Sequence, residues 1–222
     1  MQAITKFAAA AAALSLTAFA GSADAAIFIG LQQAGVNSGN ITTVATGALG
    51  AVFFNTYGSF ELELLTGTQG VDPALLGSTT NDANLVGPGG TLDIYVTRTD
   101  IDGPVPLSFF SSFTSNVLPT GWTVTQSSYV STSNQQYTGT LLSTHMFNHS
   151  ATFEETKAFA GGGAGPYSVT TRYTLNAPTR GNSLNTIAMA AVPEPATWGL
   201  MIAGFGGAGA MLRRRRQVAT AA

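Results

Sequence analysis

Three stretches of this chain alternate apolar and polar residues one by one. A period of two suits a β-strand with one face in a core and the other in water, and it does not suit a helix. In Phe60-Glu61-Leu62-Glu63-Leu64 the leucines take one face and the acids the other. Across residues 91–99, Leu92, Ile94 and Val96 oppose Asp93, Tyr95 and Thr97, and across 168–175, Val169, Thr171, Tyr173 and Leu175 oppose Ser168, Thr170, Arg172 and Thr174. Shorter strands are expected at 27–32, 41–45, 51–55, 121–130 and 137–145. Residues 107–113 crowd several aromatics together, and 153–159 fit neither period. The Gly- and Pro-rich residues 71–90 read as a long loop with a helical turn at 73–76. Residues 176–191 read as a spacer with room for one last strand at 186–190. Many short strands with Gly, Pro and Asn between them predict one all-β sandwich of jelly-roll or lectin type over residues 26–175.

The two ends of the chain have a different character. Residues 1–25 place Lys6 before an alanine-rich apolar core and end in Ala23-Asp24-Ala25, the pattern of a cleaved secretory signal peptide. Residues 192–222 run from Val192-Pro193-Glu194-Pro195 through Trp198 to an uncharged glycine-rich stretch, then Arg213, Arg214, Arg215 and Arg216. As a helix, 196–212 would be roughly 25 Å long, a minimal span of a bilayer core of about 30 Å. The arginine block would stay on the cytoplasmic side and Trp198 at the opposite interface. Pro193 and Pro195 keep the preceding segment extended and open to an enzyme.

In that order of parts, the tail resembles the PEP-CTERM sorting signal. The resemblance carries on Pro193, Glu194, Pro195 and Trp198, the segment from Met201 to Gly206, and the four arginines. It implies export through the general secretion machinery and transient anchoring in the inner membrane with the C-terminus in the cytoplasm. It further implies recognition by an exosortase, a membrane cysteine protease-transpeptidase that removes the tail at or near the Pro-Glu-Pro site. Delivery to the envelope or extracellular matrix of an exopolysaccharide-producing bacterium would follow. An anchor helix that is never cut is the alternative. The signal covers only the tail and does not describe the domain it delivers.

The formal charge of the whole chain is −2. Between residues 26 and 191 nine carboxylates face only Arg98, Lys157, Arg172 and Arg180, a balance of about −5. That field disfavours nucleic acid and anionic lipid and leaves a neutral polysaccharide as a permitted partner. The absence of cysteine excludes thiol catalysis, disulfides and cysteine-based zinc sites.

No complete catalytic set is legible, and no phosphate loop, dinucleotide fingerprint or nucleophile elbow occurs. Glu61 and Glu63 share a strand face, but Leu65 stands where a third carboxylate of a jelly-roll glycosidase would fall, so a solvated face is the expectation and hydrolysis the alternative. His145 and His149, four apart and followed by Glu154 and Glu155, could contribute to a metal site. Asp82, Asp100 and Asp102 are candidates for calcium, although the loop pattern at Asp100-Ile101-Asp102-Gly103 lacks its later ligands. No other cofactor is expected. Tyr95, Trp122, Tyr129 and Tyr137 are candidates for stacking on sugar rings, with core burial the commoner fate of such residues, above all for Trp122. The expected function is a non-enzymatic exported protein associated with exopolysaccharide or the matrix, the alternative being a secreted polysaccharide hydrolase.

Overall fold

The computed structural model describes residues 26–48, 50–65, 74–103, 105–106, 108–192, 199 and 201–207. Among them twelve strands form: β1 (Ile27–Gln33), β2 (Thr42–Gly47), β3 (Val52–Tyr57), β4 (Phe60–Leu65), β5 (Ala74–Leu85), β6 (Gly90–Ile101), β7 (Ser108–Val117), β8 (Thr123–Ser131), β9 (Thr140–Phe147), β10 (Ala151–Ala158), β11 (Tyr167–Ala177) and β12 (Asn182–Ala191). They build two six-stranded sheets, ordered β2-β1-β6-β11-β8-β9 and β10-β7-β12-β5-β4-β3. Neighbouring strands pair antiparallel throughout.

The alternating stretches place their apolar sets between the sheets. Phe60, Leu62 and Leu64 of β4, Leu92, Ile94 and Val96 of β6, and Val169, Tyr173 and Leu175 of β11 are all buried in one core. The aromatics of 107–113 resolve into β7, whose Phe113 stacks on Phe147 of β9 with ring centroids 4.8 Å apart, joining the two sheets. The ambiguous 153–159 segment is edge strand β10. With one neighbour only, it is half exposed along its length, which is why no hydropathy period shows.

Two expectations are corrected. The long loop proposed over 71–90 is replaced from Ala74 to Leu85 by β5, and the turn expected at 73–76 is strand from Ala74 onward. The spacer proposed over 176–191 is instead the end of β11 and the whole of β12, an interior strand hydrogen-bonded to β5 on one side and β7 on the other. The reason is common to both. Asn81, Ser183 and Asn185 face inward and are buried, with Asn81 and Asn185 directly paired across β5 and β12, so the core face of these strands mixes polar with apolar residues and shows no clean hydropathy alternation. Ile187 and Met189 complete that face of β12 and are fully buried. Each contributes about 1.5–3 kcal/mol by leaving water. The folded domain therefore extends to Val192, whose N–H still donates to the Ser108 carbonyl at 2.9 Å.

The signal-peptide residues 1–25, the motif residues Pro193, Glu194, Pro195 and Trp198, and the block Arg213–Arg216 lie outside the described residues. Residues 201–207 are helical. No helix among the described residues is long and apolar enough to cross a membrane, and about half of the expected span over 196–212 falls outside them.

Both chain ends of the domain leave from one pole of the sandwich. Ala26 is tied to Thr99, whose N–H donates to its carbonyl, near the end of β6. There Ile101 pairs with Tyr167 at the start of β11. The Tyr167 ring meets Phe109 of β7 at 6.4 Å, and Phe109 is the register partner of Ala191. Asn182, at the other end of β12, lies nine residue steps or about 30 Å away.

Candidate functional site

The outer face of the second sheet carries an open groove of about 490 Å³, lined by Phe54, Asn55, Thr56, Glu61, Leu62, Glu63, Asp82, Asn84 and Asn182. Register builds it. Phe54 stands opposite Glu63 and Thr56 opposite Glu61 across β3 and β4; Glu61 pairs with Asn84 and Glu63 with Asp82 across β4 and β5; Asn182 of β12 pairs with Asn84. Because alternate residues of each strand share a face, the burial of Phe60, Leu62 and Leu64 obliges Glu61 and Glu63 to point out of it. Phe54, 58% exposed, forms an aromatic flank, with Val52 and Leu65 exposed beside it as a cross-strand pair.

Glu61 and Glu63 were expected on a shared face and are found there. Asp82, expected in a loop, joins them from β5 and supplies a third carboxylate that the spacing within β4 alone could not show. The sequence offered no signal for Phe54, Asn84 and Asn182, because their proximity depends on strand order.

The aromatic candidates fall elsewhere. Trp122 is fully buried, its Nε1–H donating to the Thr179 carbonyl at 2.9 Å. Tyr95 is buried on the outer side of the first sheet, where its hydroxyl donates to Gln32 Oε1 at 2.8 Å and its ring lies 5.4 Å from the Arg172 guanidinium. Arg172 is bound bidentately by Asp93, at 3.0 and 2.9 Å. These bonds hold the guanidinium charged above its ordinary value, while burial pushes the Tyr95 phenol up against the opposing pull of Arg172. Tyr137, half-buried, lies in the β8–β9 connection, which folds back over this sheet. Its ring meets Tyr95 edge-on at 5.8 Å, and its hydroxyl shares a 2.8 Å hydrogen bond with Thr43. Gly30 is required beneath it, since a Cβ there would stand 2.8 Å from the Tyr137 ring. Tyr129 is half-buried on the same sheet. Tyr95, Tyr129 and Tyr137 thus serve the first sheet and the β8–β9 connection rather than lining the groove.

The metal candidates are also placed. Asp100 binds the β8–β9 connection (residues 132–139): its carboxylate accepts from Thr99 Oγ1 at 2.7 Å and from Asn134 Nδ2 at 2.7 Å, and its N–H donates to Asn134 Oδ1 at 2.8 Å. Asp102 is exposed. His145 and His149 do not share a strand face, because β9 ends at Phe147 and His149 lies in the following turn, beside Asn148 Oδ1 at 2.8 Å. Among the described residues no group of three His, Asp or Glu side chains is placed to hold a metal ion.

His145 closes the edge between the sheets. Its Nε2 meets Glu155 Oε2 at 2.9 Å, its ring packs on Phe153 at 3.6 Å between centroids, and Lys157 contacts Glu155 Oε1. Charges turned inward at an edge strand also discourage pairing with another chain. The Lys157 hydrogen bond, aided by His145 and opposed by partial burial, lowers the Glu155 carboxyl below the ordinary carboxylate value. A carboxyl lowered in the folded state stabilises it above its unfolded pKa, and that contribution is lost as pH falls through the folded value. The melting-temperature advantage of the wild type over Glu155→Gln, measured at low salt, is therefore expected in full at pH 6, to shrink as the pH falls below the ordinary carboxylate value of about 4, and to vanish only below the lowered value of the folded state.

An antiparallel two-sheet sandwich with an uncovered groove on one face defines the class, an all-β domain that presents a sheet surface. The tail identifies its kind: residues 191–216 match the PEP-CTERM protein-sorting motif. The chain thus carries a PEP-CTERM protein-sorting motif at its C-terminal end, and that motif implies export and processing by an exosortase. No curated protein matches it in sequence. Among solved structures, the enzymatically active domain of tailspike protein 4 from bacteriophage CBA120 aligns at TM-score 0.34 and 14% identity, over 59% of this chain and 18% of that one. The carbohydrate-binding module CBM6cm-2 of Cellvibrio mixtus lichenase 5A, solved with cellotriose, aligns at TM-score 0.29 and 13% identity, over 63% of this chain and 92% of that one.

Proposed function

We propose that this is a non-catalytic matrix or envelope protein that holds exopolysaccharide outside the cell along the groove on its second sheet. The observation carrying this reading is the groove itself. It is open, so an extended polymer can lie across the strands, and it offers an exposed aromatic face at Phe54 beside the amides of Asn84 and Asn182 and the carboxylates of Glu61, Glu63 and Asp82. Carboxylates and amides accept and donate to sugar hydroxyls, and an aromatic face stacks on the apolar side of a pyranose ring. The address given by the sorting motif supplies the polymer-rich setting.

The gathering of three carboxylates in one groove favours a second reading, polysaccharide hydrolysis with Glu61 and Glu63 as the acids. One assay separates the two. Incubation with neutral polysaccharides is expected to show binding by calorimetry without release of reducing ends, with Phe54→Ala weakening the affinity about 3- to 10-fold, the worth of one aromatic contact. Reducing ends that accumulate and disappear in Glu61→Gln would establish the hydrolase instead. Binding unaffected by Phe54→Ala would place the ligand outside the groove.

A further inference from the structure

The matched sorting motif begins at Ala191, the last residue of β12, and the Val192 N–H is still bonded to Ser108, so no slack separates the sheet from Pro193. Freeing more chain would mean stripping Met189 and Ile187 from the core and parting β12 from both its neighbours, a step close to unfolding the domain. An enzyme acting on the tail of the folded protein must therefore come directly against the pole from which the tail leaves.

The surface at that pole fits such an approach. Phe159 packs edge-on against Phe109 at 5.8 Å, beside Ala191, and leads into Gly161-Gly162-Gly163-Ala164-Gly165. This loop is fixed to the 102–106 segment through backbone, with the Val105 N–H donating to the Gly163 carbonyl at 2.9 Å. Gly103 is required there, since a Cβ would fall 2.5 Å from the Ala164 carbonyl oxygen. Gly162 and Gly165 are exposed, have open space where a Cβ would lie, and need no left-handed backbone, so nothing inside the domain calls for glycine at either position.

We propose that the exit pole, centred on the 159–166 loop and Val192, is the docking face for the exosortase that processes the tail, and that Gly162 and Gly165 keep it flat for close contact. The inference rests on the sorting motif and is independent of the glycan groove. The far pole, with Asn182 and the groove, faces away from the enzyme throughout.

The test uses the full chain expressed in cells that make the enzyme, following loss of the tail by intact mass after a pulse of synthesis. Gly162→Trp with Gly165→Trp is expected to slow processing at least tenfold, while the melting temperature matches that of the wild type and of the paired alanine variant. An eight-residue Gly-Ser insertion between Val192 and Pro193 is expected to restore the rate, because slack removes the need for flush contact. Processing at the wild-type rate in the tryptophan variant, or slowing that the insertion does not relieve, would overturn the docking face. A wild-type chain that keeps its tail would overturn it together with the sorting assignment, an outcome distinct from wild type and variants losing the tail equally fast.

Discussion

Deleting residues 182–191 is expected to abolish cooperative unfolding altogether, whereas a chain stopped after Val192 should melt as the full-length protein does. β12 is hydrogen-bonded to β5 over Asn182 to Ala190 and to β7 over Leu184 to Ala191. Without it the second sheet divides into β10-β7 and β5-β4-β3. Burial of Ile187 and Met189 is lost at about 1.5–3 kcal/mol each, and every ladder hydrogen bond at about 0.5–1.5 kcal/mol. Together these exceed the 5–15 kcal/mol typical of a domain's whole stability. The deletion also exposes inward-facing strand edges on β5 and β7, so aggregation is the expected fate of the protein. Thermal scans followed by circular dichroism check both halves. A cooperative melt in the deletion variant would return these residues to the status of a linker.

The contrast marks what the sequence could reveal. β4, β6 and β11 were legible because their core faces are nearly all apolar and their outward faces polar, a pattern visible one strand at a time. β5 was not, and of β12 only the part at 186–190 was, because the interior they line contains Asn81, Ser183 and Asn185, with Asn185 Nδ2 bonded to Ser183 Oγ at 2.8 Å. Polar residues buried on the core face erase the hydropathy signal of the strands that carry them. The tail was legible for the opposite reason. Pro193-Glu194-Pro195, Trp198 and the arginine block form a local code read in one dimension, and the family match covers the same residues.

The groove was half legible. The sharing of a face by Glu61 and Glu63 follows from a spacing of two and needs no tertiary information. Asp82 and Asn84 reach them only because β5 pairs with β4, and Phe54 only because β3 covers the other side. The acids are adjacent without an ion pair: Glu63 and Asp82 stand directly opposite, a like-charge cross-strand pair that disfavours the fold. By contrast, Asp93 is answered by Arg172 and Glu155 by Lys157. Among the described residues Glu61, Glu63 and Asp82 have no basic partner, and all three lie on the face proposed to meet ligand.

Trp122→Ala is expected to cost about 3–5 kcal/mol, the range for removing a fully buried aromatic, and to lower the melting temperature on the order of 10 °C for a domain of this size. The indole is the largest fully buried side chain among the described residues, and it is placed by a turn in which the Trp122 N–H donates to the Pro119 carbonyl at 3.0 Å. Its own Nε1–H reaches across to the Thr179 carbonyl in the β11–β12 turn. In the same turn, the Gly181 carbonyl accepts from the Leu85 N–H at 3.0 Å, so the indole, this turn and the end of β5 are held as one unit. Asn182 follows immediately and lines the groove, which couples a core residue to the proposed site. Trp122→Phe separates the two contributions. It keeps most of the buried ring but leaves the Thr179 carbonyl without its donor, and should cost about 1–3 kcal/mol. If packing sets stability while the hydrogen bond sets the turn, Phe should retain most of the melting temperature yet weaken glycan binding as Asn182→Ala does, whereas equal binding by Trp122→Phe and wild type would show that Asn182 is positioned by β12 pairing alone.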